Sequence, residues 1–240
     1  MSNPVLNEKF FDRADVMGEP LTMNGVLQKT VVLFLIMVAS AVFIWMKALE
    51  GHLDLVTMCT YGGAIVGFIL ALIISFTRKM FFIPLYAVAE GLFIGGISFI
   101  FEKSFPGIVQ TSTLGTIMAV AAMLFLYSAR IIRYSEKMMG IILTATFAIA
   151  GIYLVQLIGS FFGFSIPGIF ANGPIWIGFS LLVIGIAAFN LIIDFHFIET
   201  LATRLAPKEY EWFCGFGLMV TILWVYVEIL RLVAKLQSRD

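Results

Sequence analysis

The sequence has few charged residues, and this scarcity indicates the class of protein. Only 12% of its 240 residues are Asp, Glu, Lys or Arg, whereas 61% are hydrophobic. Soluble domains have about 25% charged and about 45–50% apolar residues. The formal net charge is +0, which excludes the basic surface that nucleic-acid-binding proteins need. The composition therefore predicts an integral membrane protein in a lipid bilayer.

Residues for metal and covalent chemistry are also scarce. The two cysteines, Cys59 and Cys214, lie far apart, and the chain has two histidines, His52 and His196. These residues are too few for a disulfide framework or a zinc cluster. The HExxH, GxSxG and GxxxxGK[ST] motifs are missing, and the last apolar run has no central lysine for a retinal Schiff base. We therefore expect no enzyme activity, no metal site and no resident cofactor.

Long apolar runs dominate what the sequence does contain. A membrane-spanning helix needs about 20 apolar residues, and only helices satisfy every backbone group over such runs in lipid. The sequence thus predicts an all-α membrane protein with seven transmembrane helices. The predicted spans are 30–46, 55–77, 80–101, 108–129, 138–162, 174–197 and 212–231.

The Lys and Arg residues predict how the chain crosses the membrane. Ten of them fall in the N-terminal tail and in the second, fourth and sixth loops, and five fall on the opposite side. Cytoplasmic loops carry the excess of positive charge, so the tail of residues 1–29 is predicted to be cytoplasmic. The transmembrane domain covers 30–231, and a short tail, 232–240, is predicted outside. Because three of the five opposing charges lie in 231–240, a seventh run that does not fully cross is the alternative; the uncharged loop 163–174 is either external or re-entrant.

Three carboxylates lie within the predicted spans. Glu90 is ten residues into the third run, about 15 Å along the helix axis, near the bilayer midplane. Asp194 lies close to the inner end of the sixth run, and Glu228 close to the outer end of the seventh. A charge at the centre of a spanning helix costs about 2.5–3.5 kcal/mol on insertion scales. Such residues are normally turned inward, paired or protonated.

Two pairs of polar residues near the ends of the spans have explanations within their own helix. Glu228 and Arg231 are i, i+3 neighbours, a spacing that allows an ion pair at the membrane interface. His196 and Glu199 have the same spacing, and both are expected to reach the inner headgroup region as a polar rim.

The other polar groups are candidates for an ion path. Asp194 shares a helix face with Asn190, four residues earlier, so either a structural hydrogen bond to a neighbouring helix or an ion-path role fits it. Glu90 has no basic residue within two turns of its own helix, and this favours an ion or proton site.

Three segments resemble the Bax inhibitor-like membrane proteins, in particular their bacterial Bax-1-inhibitor-like branch. They are "AEGLFIGGIS" (89–98), "FNLIIDFHFIE" (189–199) and "PKEYEWFCGFGLMVTILWVYVEILRLV" (207–233). The hydropathy pattern of the family covers nearly the whole chain, and the C-terminal two-span segment is its most specific part. The resemblance implies six helices around a central seventh, in the inner (plasma) membrane of a bacterium.

The resemblance also implies a function. Members of one branch are pH-sensitive calcium leaks in which aspartates on the sixth and seventh helices form a latch. The first aspartate matches Asp194, but the second position falls on Thr221, so the two-carboxylate latch is not preserved. We expect a pH-sensitive cation leak or transporter that moves calcium or protons, with Asp194, Glu90, Asn190 and Thr221 in its path or gate. The alternative is a non-conducting regulator that binds membrane proteins such as a protease or a cell-death or stress factor.

Overall fold

Seven helices make up most of the computed structural model, which describes residues 19–162 and 173–238. All seven are long and apolar enough to cross a membrane, and this confirms the predicted all-α membrane protein. They are α1 (Met23–Leu49), α2 (Leu53–Thr77), α3 (Phe82–Ser104), α4 (Ile108–Ser128), α5 (Glu136–Phe161), α6 (Pro174–Thr203) and α7 (Tyr210–Gln237).

The ends of the helices differ from the predicted spans. Helix α1 begins at Met23 rather than at residue 30, because Thr22 is an extended N-cap whose side chain accepts a hydrogen bond from the Gly25 amide. Helix α7 continues to Gln237, so much of the predicted C-terminal tail is helical. Residues 1–18 and most of the loop predicted at 163–174 lie outside the described residues, and both interpretations of that loop stay predictions.

The chain divides into two compact units. Unit 1 comprises Met1–Ile97 and His196–Met219, and unit 2 comprises Ser98–Phe195 and Val220–Asp240. Helices α3, α6 and α7 each contribute residues to both units. Helix α7 has the largest buried share of the seven, 61% of its most apolar window. The position of the seventh helix at the centre of the other six stays a prediction.

Glycines allow the helices of unit 1 to approach closely. A Cβ on Gly91 or Gly95 of α3 would lie within 3.0 Å of the backbone of α1, and one on Gly63 of α2 would lie equally close to the backbone of α3. The Trp45 indole of α1 also donates a 2.9 Å hydrogen bond to the Gly95 carbonyl. Small residues at such crossings let van der Waals packing hold helices together within lipid. The part of α3 that carries Glu90 is therefore closely packed between neighbours.

Candidate functional site

Asp194 of α6 and Thr221 of α7 meet directly in unit 2. The Thr221 hydroxyl donates a 2.6 Å hydrogen bond to Oδ2 of Asp194, a length typical of a hydroxyl bonded to a carboxylate. Thr221 is buried and Asp194 is half-buried. The structure thus brings together the two positions at which the family resemblance places a latch, with a hydroxyl where a second carboxylate would stand.

Asn190 lies one turn before Asp194 on α6 but has a different partner. Its side-chain amide donates to the hydroxyl of Thr146 on α5 and to the Ile186 carbonyl of its own helix, both at 2.9 Å. The hydrogen bond to a neighbouring helix that the sequence analysis considers for Asp194 is present, from Thr221 of α7, and Asn190 makes a second one to α5. Asn190 joins α6 to α5, while Asp194 joins α6 to α7.

Glu90 belongs to unit 1, where it lies half-buried on α3. The Tyr86 side chain, one turn earlier on α3, lies near the Glu90 carboxylate. Gly67 of α2 makes room for this group, since a Cβ at position 67 would lie 2.9 Å from Oε2 of Glu90. Among the described residues the interactions of Glu90 include no basic side chain. A carboxylate without a basic partner retains oxygen lone pairs for a proton or a cation.

Glu228 and Arg231 form the ion pair that their spacing predicts, with 3.2 Å between Arg231 Nη1 and Glu228 Oε1. The pair has a third member, because the Tyr153 hydroxyl of α5 contacts both oxygens of Glu228 at 3.0 and 3.1 Å. The Arg231 guanidinium also lies over the Tyr153 ring, 4.8 Å from its centroid. Glu228 is only 1% exposed. The sequence-predicted pair is therefore part of a cluster around the buried Glu228 that joins α7 to α5.

His196 and Glu199 lie near the end of α6 in unit 1, and both are half-buried. The Thr200 hydroxyl donates to the His196 carbonyl at 2.8 Å and lies 3.5 Å from Nε2 of the same residue. Their place at the inner headgroup region stays a prediction.

Two buried charged residues were not singled out from the sequence. Glu211, in the first turn of α7, is 1% exposed and accepts hydrogen bonds from the amide and the hydroxyl of Thr22, both at 3.1 Å. Lys235, near the end of α7, is 8% exposed. Lys235 follows Glu228 by seven residues, which places both on one helix face, and this spacing could have indicated it. Thr22 could also be recognised from the sequence as a helix N-cap, but its carboxylate partner, Glu211, lies 189 residues away.

The comparisons with known proteins agree with this architecture. A family model described as Bax inhibitor 1 like matches residues 3–238, nearly the whole chain. No curated protein and no solved structure matches this chain. The seven apolar helices are those expected for a protein embedded in a lipid bilayer. The chain therefore belongs to the Bax inhibitor 1 like family and is an integral membrane protein.

Proposed function

We propose that this membrane protein is a pH-sensitive cation leak channel or transporter and that calcium is the ion it moves. The observation that carries the proposal is the hydrogen bond between Asp194 and Thr221. When Asp194 is ionised, this bond is charge-assisted and roughly twice as strong as a bond between neutral groups. Protonation of Asp194 removes that assistance, so acid weakens the connection between α6 and α7.

The proposal assigns Glu90 a different task. Its carboxylate lies on a spanning helix near Tyr86 and has no basic partner among the described residues. Oxygen ligands are those that calcium prefers, and Glu90 supplies negative charge to an ion in transit. Within 19–162 and 173–238, no group of three or more His, Cys, Asp and Glu side chains could hold a metal ion. The proposal assigns the carboxylates to the passage of an ion.

The test is calcium entry into proteoliposomes loaded with a calcium-sensitive dye, measured at several values across about pH 5–8. Wild-type flux should rise as the pH falls. Asp194→Asn keeps an acceptor for Thr221 but cannot ionise, so its flux should lose most of its pH dependence and stay near the acidic level of the wild type. Thr221→Val, which lacks the donor, should also lose most of the pH dependence.

Glu90→Gln should lower the flux at every pH, because the amide keeps the size of the side chain but removes its charge. The matched control is Glu136→Gln, the same chemical change at an exposed position at the start of α5. Thermal melts of each variant separate lost flux from lost folding. If the Asp194→Asn and Glu90→Gln proteins fold and keep the flux and the pH dependence of the wild type, both residues have only structural roles. Ion-tight wild-type liposomes would instead favour the non-conducting regulator of membrane proteins.

We further propose that the N-terminus is cytoplasmic, the C-terminus is external, and the membrane is a bacterial inner membrane. The ten-to-five division of Lys and Arg residues supports this orientation. A reporter that is active only in the cytoplasm, fused after Asp240, should therefore be inactive. An active reporter would contradict the orientation and leave six crossings.

A further inference from the structure

Lys235 is a buried cation whose direct partners are neutral. Its ammonium donates hydrogen bonds to the Ser180 hydroxyl at 2.9 Å and to the Trp176 carbonyl at 3.4 Å, both on the first turns of α6. Lys235 is 8% exposed and Ser180 only 3%. A lysine ammonium is compact and strongly hydrated in water, and burying a charge is costly unless an opposite charge compensates it. The position therefore calls for negative charge nearby.

The carboxylate of Glu228, seven residues before Lys235 on α7, is already paired with a second cation. Glu228 and Arg231 both act electrostatically on Lys235, but Glu228 is paired with Arg231 and hydrogen-bonded by Tyr153. Arg231 and Lys235 are four residues apart and so lie on one face of α7. Among the described residues at this end of unit 2, two cations share one carboxylate, which leaves a surplus of one positive charge.

The other carboxylates in the described part of unit 2 do not offset this surplus. Glu102 accepts hydrogen bonds from two backbone amides at the start of α4, and Asp194 accepts one from Thr221. Glu136 is exposed at the first residue of α5. None of the three acts on Lys235. Outside the described residues of unit 2, the segment 163–172 contains no acidic residue, and Arg239 and Asp240 carry opposite charges, so these segments add no net negative charge.

We propose that Arg231 and Lys235 form an anion site for a phosphate group, which comes either from a membrane phospholipid or from free phosphate. Lys235 has three N–H donors and uses two for Ser180 and Trp176, while Arg231 has five donors and gives one to Glu228. Phosphate oxygens accept strong hydrogen bonds from both kinds of cation. The Arg231 side chain is 29% exposed, so a headgroup can reach it.

The neighbouring side chains hold the two cations in place before an anion arrives. Glu228 and the Tyr153 ring position the guanidinium, and Ser180 positions the ammonium. Groups that are ordered in advance lose less conformational entropy on binding. This arrangement differs from exposed lysines at a membrane surface, which attract anionic lipids without a defined position.

The test measures binding to the purified full-length protein after lipid has been removed in detergent. Phosphatidylglycerol, phosphatidylcholine and inorganic phosphate are titrated separately, with bound lipid counted by native mass spectrometry and phosphate binding followed by thermal melts. Lys235→Met should weaken anion binding about tenfold, which is the effect of about 1.4 kcal/mol. Lys103→Met is the matched control, because Lys103 is exposed at the end of α3 and has the same charge. The Lys103→Met protein should bind the anions as tightly as the wild type does.

A second substitution tests the sign of the electrostatic argument. Glu228→Gln keeps an oxygen acceptor for Tyr153 but removes the one negative charge, so it should strengthen anion binding severalfold. If Lys235→Met does not fold, Ser180→Ala replaces it, because this change keeps both cations and removes only the hydroxyl that positions Lys235. It should weaken binding in a protein that melts as the wild type does.

The outcomes distinguish a phospholipid headgroup from free phosphate, and one set of outcomes would refute the proposed site. Binding of phosphatidylglycerol that depends on Lys235, without a matching effect of inorganic phosphate, identifies a lipid headgroup site. An equal effect of both identifies a site for the phosphate ion itself. If Lys235→Met weakens binding no more than Lys103→Met does, or if Glu228→Gln fails to strengthen it, the proposed site is refuted.

Discussion

Replacing Gly25 with alanine should destabilise the protein, although alanine is the better helix former. Gly25 lies in the first turn of α1, directly beneath the buried carboxylate of Glu211. A Cβ at position 25 would come within 3.0 Å of three atoms of that carboxylate, closer than real Cβ contacts allow. The carboxylate must therefore leave its place at the start of α1. It would lose the hydrogen bonds from the Thr22 amide and the Thr22 hydroxyl.

The size of the effect follows from these contacts. A hydrogen bond to a charged group contributes about 1.5–3 kcal/mol, and two of them are lost. Alanine in place of glycine returns about 1 kcal/mol of helix propensity. The free energy of unfolding should therefore fall by roughly 2–5 kcal/mol. Gly140→Ala on α5 is the control, because a Cβ there meets nothing within 4 Å and only the propensity gain remains.

The assay is reversible unfolding in mixed micelles with increasing sodium dodecyl sulfate, followed by tryptophan fluorescence. A double-mutant cycle with Glu211→Ala isolates the steric cause. Once the carboxylate has been removed, Gly25→Ala should become neutral or stabilising. If Gly25→Ala destabilises the Glu211→Ala protein as much as the wild type, the clash with the carboxylate is not the cause and the reasoning fails.

Two further predictions concern unit 1. The ion pair between Glu19 and Lys208 lowers the pKa of the Glu19 carboxyl through a hydrogen bond and raises the pKa of Lys208. The Leu21 amide, two residues from Glu19, donates a 2.7 Å hydrogen bond to the Ala206 carbonyl, two residues from Lys208. Lys208→Met should therefore speed hydrogen exchange at the Leu21 amide at neutral pH. Gly96→Ala should lower the melting temperature, because a Cβ there would lie within 3.0 Å of the Thr60 side chain on α2, and adding Thr60→Ala should restore part of the loss.

The pH dependence of the first of these predictions has a definite sign. A carboxyl whose pKa is lowered by folding contributes stability above its unfolded pKa and loses it as the pH falls through the folded value. The effect of Lys208→Met should therefore disappear as the pH falls through the lowered pKa of Glu19, and also as the pH rises through the raised pKa of the lysine. An effect that persists in acid would contradict the ion pair as the cause. For the second prediction, Gly62→Ala on α2 is the control, since a Cβ there has open space.

The apolar runs determined the number and type of the secondary-structure elements, but not their ends. Backbone groups within lipid must be satisfied inside their own segment, so a run of about 20 apolar residues predicts a helix without knowledge of its neighbours. The start of α1 was placed at residue 30 because residues 23–29 are more polar than the run that follows. Thr22 and the distant Glu211 carboxylate place that start at Met23.

The candidate site shows the same division between local and distant contacts. Sequence spacing found the pair of Glu228 and Arg231, because residues three apart on a helix are neighbours whatever surrounds them. It did not find Tyr153, whose hydroxyl comes from α5, 75 residues earlier. The family resemblance marked Asp194 and Thr221 as positions of interest, whereas their hydrogen bond depends on how α6 and α7 pack.

The sequence by itself therefore determined a seven-helix membrane protein of a recognisable family and the carboxylates that its spans contain. Only the tertiary structure decided which helix supplies the partner of each carboxylate. Helical periodicity tells which residues share a face, but it does not tell which neighbour that face meets. That choice depends on the side chains of several helices at once, as at the glycine crossings of α3 with α1 and α2.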